Sequence, residues 1–216
     1  MRTIEKSREP LSLKRHRKSG GTYENYRETE DLRSALLKDQ GHICCYCMKR
    51  ITARDMKNEH WASQTDHDDE TVDWDNLMGS CKGGDGERGA IRHCDTSRGH
   101  TRLKVNPLDQ AQRCERLIQY RADGEISSRD PEINKDLGET LNLNNERLKP
   151  MRGSVYDTLF HRLKIKANEF GIRATDRWPR DIVEPELAAW KRRDKAGQYR
   201  EYCQIAIYVL EKKLPK

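Results

Sequence analysis

The chain has 216 residues, one medium domain or two small ones, and 34% hydrophobic against 36% charged residues leaves room for only a modest core. A mean hydropathy of −1.07, with no apolar run near the roughly 18 residues of a membrane helix, excludes a helical membrane protein. The net charge of +6 is compatible with a polyanionic partner without demanding one.

In chain order, residues 1–28 hold Pro10, the pair Gly20-Gly21 and few apolar residues, and are expected to form an extended arm. Its cations Arg2, Lys6, Arg8, Lys14, Arg15, Arg17, Lys18 and Arg27 outnumber Glu5, Glu9 and Glu24. Such an arm either contacts phosphates or remains a solvated tail that docks on a protein. No apolar h-region marks a secretory signal. Thr29, with Glu30 and Asp31 next to it, suits a helix start, with Leu32, Ala35 and Leu36 on one face and Gly41 as the stop. Residues 43–51 read as a tight knuckle joining two short strands. The polar stretch 62–73, with Asp66, Asp68, Asp69 and Glu70, reads as a loop, and Asp75 or Asn76 opens a short turn containing Leu77 and Met78. The glycines from Gly83 to Gly89 mark a flexible loop; it lacks a trailing Gly-Lys-Ser/Thr, so a P-loop is not expected.

Beyond Pro107, the flanks of Asp123-Gly124 predict a β-hairpin. Asn142 to Asn145 break the chain before a helical run through Leu148, Val155, Leu159 and Leu163. The tail carries Tyr199, Cys203, Ala206 and Leu210 at helical spacing, a packing stripe. There is no internal repeat. The divisions expected are a basic arm (1–28), a metal-bearing domain (29–108) and a hairpin plus helical region (109–216).

Seven cysteines without a signal peptide point to a reducing cytoplasm, where thiols hold metal. Cys44 and Cys47 have the usual spacing of a zinc pair, and Cys81 and Cys94 are the second pair, split by twelve residues. His93 competes for the fourth position. Cys45 points away, and Cys114 and Cys203 are expected as buried free thiols. Such a zinc is structural, leaving no open position for water.

Between the two halves of this staple stand Glu59, His60 and Asn76, and Asp95 sits directly after the last thiol. His60, with an unperturbed pKa of about 6.5, suits a general base. Glu59 and Asp95 are hard oxygen donors for magnesium or manganese. Asn76 can pin a backbone group and so orient His60. Strand alternation sends Glu59 and His60 to opposite sides, so a bulge or bend is needed if both address one phosphate. Arg98 and Lys104 are candidate phosphate contacts.

The series Cys44-x-x-Cys47, Glu59-His60, Asn76, Cys81, Cys94-Asp95 resembles an HNH endonuclease of the ββα-metal type. The resemblance implies an α+β fold, a zinc-stapled ββα-metal core with a mainly helical carboxy-terminal region. It also implies that Glu59 and Asp95 bind the catalytic metal, His60 activates water and Asn76 supports it. Here the second cysteine pair is stretched by Lys82 to Arg92, which keeps His93 and His100 open as alternates to Asp95. Further matches at Ile43 to Met48, Glu59-His60-Trp61, Asn76 to Cys81, His93 to Gly99, Asn106-Pro107 and Leu141 to Asn144 are similar to the PtuB family of anti-phage Septu and retron systems. Relatives commonly carry lysine where Arg98 stands, a change that keeps the charge. That family implies a PtuA-type ABC-like ATPase partner and, in retron versions, a reverse transcriptase with its RNA-DNA hybrid. The half containing Trp178 and Trp190 is then expected to be the ATPase docking surface, removable after about Arg177. The competing reading is a non-catalytic zinc adapter linking an ATPase to nucleic acid.

Overall fold

The computed structural model describes residues 1–62, 71–87, 89–169, 171 and 178–214. Its first element is one the sequence pattern does not announce: Leu11–Lys18 forms helix α1 behind Pro10. Leu13 is buried on that helix, and Met1, Ile4 and Tyr26 are buried in the same core. The extended arm expected over residues 1–28 is therefore corrected to a packed segment. Its apolar residues are too sparse to show periodicity, yet Met1, Ile4, Leu13 and Tyr26 each fill a place in the core. Lys6 illustrates the change: its Nζ donates to Leu77 O at 2.7 Å and lies 3.2 Å from the Trp74 ring centroid. Burial pushes its pKa down to about 7.

Helix α2 spans Thr29–Gln40, with acids in its first turn, and ends at Gly41 in the left-handed region (φ 60°). Leu32, Leu36 and Leu37 face the core. Gln40 ties the helix to the knuckle and to Gly79 beyond it. Its Nε2 donates to Ile43 O (2.9 Å) and Gly79 O (2.8 Å), and its Oε1 accepts from Gly79 N (2.5 Å). The knuckle at 43–51 is closed by a single bridge between Ile43 and Arg50, so the two short strands expected there reduce to one rung.

Strands β1 (Met56–His60) and β2 (Leu77–Cys81) pair antiparallel, Met56 opposite Cys81 and His60 opposite Leu77. Leu77 and Met78, expected in a turn, open β2; the turn is the 3₁₀ segment Trp74–Asn76, capped by Asp73. Every residue of β2 is buried, so the strand lacks the alternation that betrays a half-exposed one. Residues 63–70 of the expected acidic loop lie outside the described residues. Helix α3 (Asp95–Arg98) comes next, then α4 (Cys114–Leu117).

The predicted hairpin is present as β3 (Ile118–Tyr120) and β4 (Ile126–Ser128). Helix α5 (Pro131–Lys135), N-capped by the Asp130 side chain, runs into a π-helical turn, Asp136–Thr140. Asn145 Oδ1 accepts from Leu148 N at 3.0 Å and so caps α6 (Leu148–Glu169), as the asparagine-rich break implies. Helices α7 (Arg180–Lys191) and α8 (Cys203–Lys213) complete a mixed α+β fold with two small antiparallel sheets. Among the described residues no helix is long and apolar enough to cross a membrane.

The three expected divisions do not have separate cores. One buried cluster runs from Met1 and Leu32 through the knuckle cysteines and both hairpins to Tyr202 and Ile205. A second joins α6, α7 and α8 to Ile43 and Met48 of the knuckle. Trp178 and Trp190 lie in that second cluster, 0% and 8% exposed, so they do not present a docking surface. The apolar stripes of three helices bury one another, and the indoles fill the space between them.

Candidate metal centre and acid-histidine site

Four thiols meet where the knuckle touches the end of β2 and the start of α3. The Sγ atoms of Cys44, Cys47, Cys81 and Cys94 all lie within 4.8 Å of one another. Cys44 and Cys94 are 3.8 Å apart, Cys47 and Cys81 3.7 Å. A disulfide needs about 2.05 Å. A tetrahedron with zinc-sulfur bonds of about 2.3 Å has edges of about 3.8 Å, so the cluster fits a metal such as zinc. Backbone turns hold the geometry. Met48, at φ 68°, donates its N–H to Cys44 O (3.1 Å), and Cys81 N donates to Cys44 Sγ (3.3 Å). Cys94, at φ 55°, is fastened by its N–H to Leu141 O (2.9 Å).

The loop between the third and fourth thiols closes because of Gly83. Its φ is 56°, and a Cβ there would stand 2.0 Å from His93 O. His93 N in turn donates to Gly83 O at 2.9 Å. His93 is buried with Nδ1 3.1 Å from Cys94 Sγ and 3.8 Å from Cys81 Sγ, so it belongs to the sulfur cluster and not beside Glu59. Burial penalises the Cys44 and Cys94 thiolates. Hydrogen bonds from the neighbouring thiols nevertheless hold Cys44 below the ordinary thiol range, while Cys81 and Cys94 are pushed up. Four thiols sharing protons this way form a set that a central cation neutralises. Cys45 is buried outside the set, as are Cys114 and Cys203.

The acid pair lies beside this staple. Glu59 is 3% exposed; the Tyr46 hydroxyl donates to its Oε1 at 2.6 Å, and Arg98 Nη1 donates to the same oxygen. Burial, and then the hydrogen bond and charge of Asp95, raise the Glu59 pKa from 4.5 to about 8, against Arg98 and Tyr46, which lower it. The structure thus brings Glu59 and Asp95 together, across 36 residues of chain, because α3 starts directly at the last thiol. Their carboxyl groups are a donor set that fits a hard divalent cation.

Two cations already serve these acids. Arg98, expected on a phosphate, is corrected to an internal role: it is 3% exposed and also donates to Tyr46 Oη, His60 O and Trp61 O. A lone buried carboxylate requires such a partner. Lys57 Nζ lies 3.5 Å from Asp95 Oδ2 and 3.3 Å from Asp85 Oδ2, and donates to Thr96 Oγ1 (3.0 Å). Lys104, the other expected phosphate contact, is paired with Asp130 (2.9 Å) and Glu132 (2.5 Å).

His60 closes β1 on the strand's other side. The ladder pairs one to one through His60, so the bulge that alternation would require is not formed; the chain bends at Trp61 and Ala62 instead. His60 Nε2 lies 2.8 Å from Thr71 O, and Tyr23 packs edge-on at 4.6 Å between ring centroids. A carbonyl only accepts, so Nε2 carries the proton and Nδ1 is the basic nitrogen. Burial lowers the His60 pKa, partly offset by the Thr71 carbonyl and by Asp95. Asn76 pins the bend: Oδ1 accepts from Ala62 N (2.7 Å), Nδ2 donates to Ala62 O (3.2 Å), and its own carbonyl accepts from Trp61 N (3.0 Å). His100 is exposed on the far side of α3 from the thiol end.

Tyr46, Lys57 and Tyr23 are functional neighbours that residue type and spacing do not single out. Lys57 has a usable signal, because alternation puts it on the Glu59 side of β1. Tyr46 is masked by its place between thiols, where a knuckle accounts for it. No protein-family model matches the chain, and no curated protein matches it.

Proposed function

We propose that this chain is a metal-dependent endonuclease of the HNH type, cleaving phosphodiester bonds of nucleic acid from a zinc-stapled frame. The observation that carries the reading is the meeting of the Glu59 and Asp95 carboxyls one residue from His60, at the edge of a four-thiol cluster. An adapter needs only the thiols. It has no use for two carboxyls forced together at the cost of a strongly raised pKa.

Glu59 and Asp95 would hold magnesium or manganese, which would supply positive charge to the scissile phosphate. The residues themselves do the rest. His60, kept neutral at pH 7 by burial, accepts the proton of the attacking water. Thr71 O fixes its tautomer, and Asn76 fixes the bend that aims it. Arg98 and Tyr46 hold Glu59 in place. The zinc staple keeps α3, and with it Asp95, against β1.

The sequence resemblance to the PtuB family supports a role as the nuclease of a PtuA-PtuB type anti-phage system. A PtuA-like ATPase, and in retron versions a reverse transcriptase with its hybrid, are the proposed partners. The thiol-rich metal site supports a cytoplasmic location. His60→Ala, assayed in the purified complex, is expected to keep zinc and fold and to lose at least 100-fold in cleavage, about the smallest contribution of a general base. Undiminished cleavage by that variant rejects the reading and favours the adapter. Products are expected to carry 5′-phosphate and 3′-hydroxyl ends, read by end-labelling.

A further inference from the structure

A cleft of about 1010 Å³ opens between the β3-β4 hairpin and helix α8, lined by residues of neither the thiol cluster nor the acid pair. Its acids are already committed. Glu115 pairs with Arg113 (3.1 Å), Asp130 with Lys104 (2.9 Å) and Glu211 with Lys191 (2.7 Å). Four cations of the lining have no carboxylate partner among the described residues: Arg2 is half-buried over the Tyr199 ring, and Arg116, Arg129 and Lys212 are exposed. Lys212 instead lies over the Tyr208 ring, 4.2 Å from its centroid.

The floor of the cleft carries a second, independent signal. Gln204 is 5% exposed, lines the cleft, and has no hydrogen-bond partner for its carboxamide among the described residues. Its carboxamide opens onto the cleft and offers a donor and an acceptor to whatever fills it. Unpaired cations spaced along a channel, an aromatic ring in the wall and one amide at the base match the way single strands are gripped: backbone by charge, bases by ring faces.

We propose that this cleft binds single-stranded nucleic acid, as a track separate from the acid-histidine site. It goes beyond the endonuclease reading, since a track of this kind serves a nuclease or a non-catalytic binder. The test compares three full-length proteins that share the His60→Ala change, with no magnesium added, so that binding is read without cleavage. The first has no other change. The second carries Arg116→Glu, Arg129→Glu and Lys212→Glu. The third carries Lys14→Glu, Arg15→Glu and Lys18→Glu on α1, an equal charge change on an exposed helix away from the cleft.

Affinity for a fluorescent single strand of about 20 nucleotides, longer than one such track occupies, is measured across a salt series. Zinc content and thermal melting confirm that all three proteins fold. The cleft triple is expected to lose about 100-fold, and its slope of log K against log salt to flatten by about 2 units, at about 0.7 per phosphate contact. The α1 triple is expected to change affinity by less than about threefold, since its charges are screened from the strand. Gln204→Leu, which fills the same space without polar atoms, is expected to weaken binding while leaving the salt slope unchanged. Equal losses in both triples would mean net charge alone is felt, and an unchanged cleft triple would mean the strand lies elsewhere; either overturns the proposal. Tighter binding of a duplex than of the single strand overturns it as well.

Discussion

Glu59 is the residue on which the proposed chemistry turns, and its environment makes a prediction that needs no substrate. Its folded pKa of about 8 lies above the ordinary 4.5, so between those values the folded chain binds more protons than the unfolded one. The Glu59 contribution to stability therefore falls as pH rises from about 4.5 through 8, because burial outweighs the pairing with Arg98. The melting-temperature difference between the unsubstituted protein and Glu59→Gln, followed across that window, is expected to show the decline. Added magnesium is expected to flatten it, because the ion stabilises the ionised form. A Glu59→Gln variant whose melting follows the same pH course as the unsubstituted protein would contradict the assignment. The residues of this site are partly legible from sequence. Glu59, His60, Asn76 and Asp95 are chemically distinctive and stand at readable spacings. Arg98 reads as a surface cation because sequence does not reveal that a short helix, Asp95–Arg98, turns its last side chain inward.

Elements are legible in proportion to their punctuation. Gly41 stops α2, Asp123-Gly124 turns the second hairpin, and Asn145 caps α6, each by a local mechanism that sequence exposes. Helix α1, strand β2 and the π-turn after α5 lack such marks. Strand β2 is buried throughout, and α1 presents one core residue, Leu13, on an otherwise charged surface. At this scale the prediction concerns the thiol staple, which holds the knuckle, the end of β2 and the start of α3. Elemental analysis is expected to find one zinc per chain. Cys94→Ser is expected to lower zinc occupancy and to cost several kcal/mol of stability, because metal binding here is folding free energy. Full stability of that variant without zinc would show that packing alone holds the staple.

At the scale of the whole molecule, the carboxy-terminal segment is stitched to the amino-terminal half. Tyr199 N donates to Gly41 O (2.9 Å), Tyr202 N to Met48 O (3.1 Å), and Arg193 to Lys38 O (2.6 Å) and Asp39 O (2.7 Å). Arg50 N donates to Glu201 Oε1 at 2.7 Å. Truncation after about Arg177, which lies just outside the described residues, would remove α7 and α8 and empty the Tyr202 and Ile205 places in the shared core. The truncated chain is expected to be insoluble or zinc-poor, read by size-exclusion chromatography and metal content; a soluble, zinc-loaded fragment would restore the idea of a detachable docking region. Sequence suggests three parts because composition changes near residues 28 and 108, whereas packing continues across both points.

Knuckle side chains alternate in allegiance: Cys44 to Cys47 point into one cluster, while Ile43 and Met48, on either flank, point into the other. The bundle of α6, α7 and α8 thus rests on the shoulders of a loop whose shape is dictated by sulfur. Oxidising two of those thiols to a disulfide would draw atoms now 3.7 or 3.8 Å apart to about 2.05 Å. That tug is conveyed through Ile43 and Met48 to helices carrying no ligand of their own, so chemical insult at the sulfurs is registered across the entire chain.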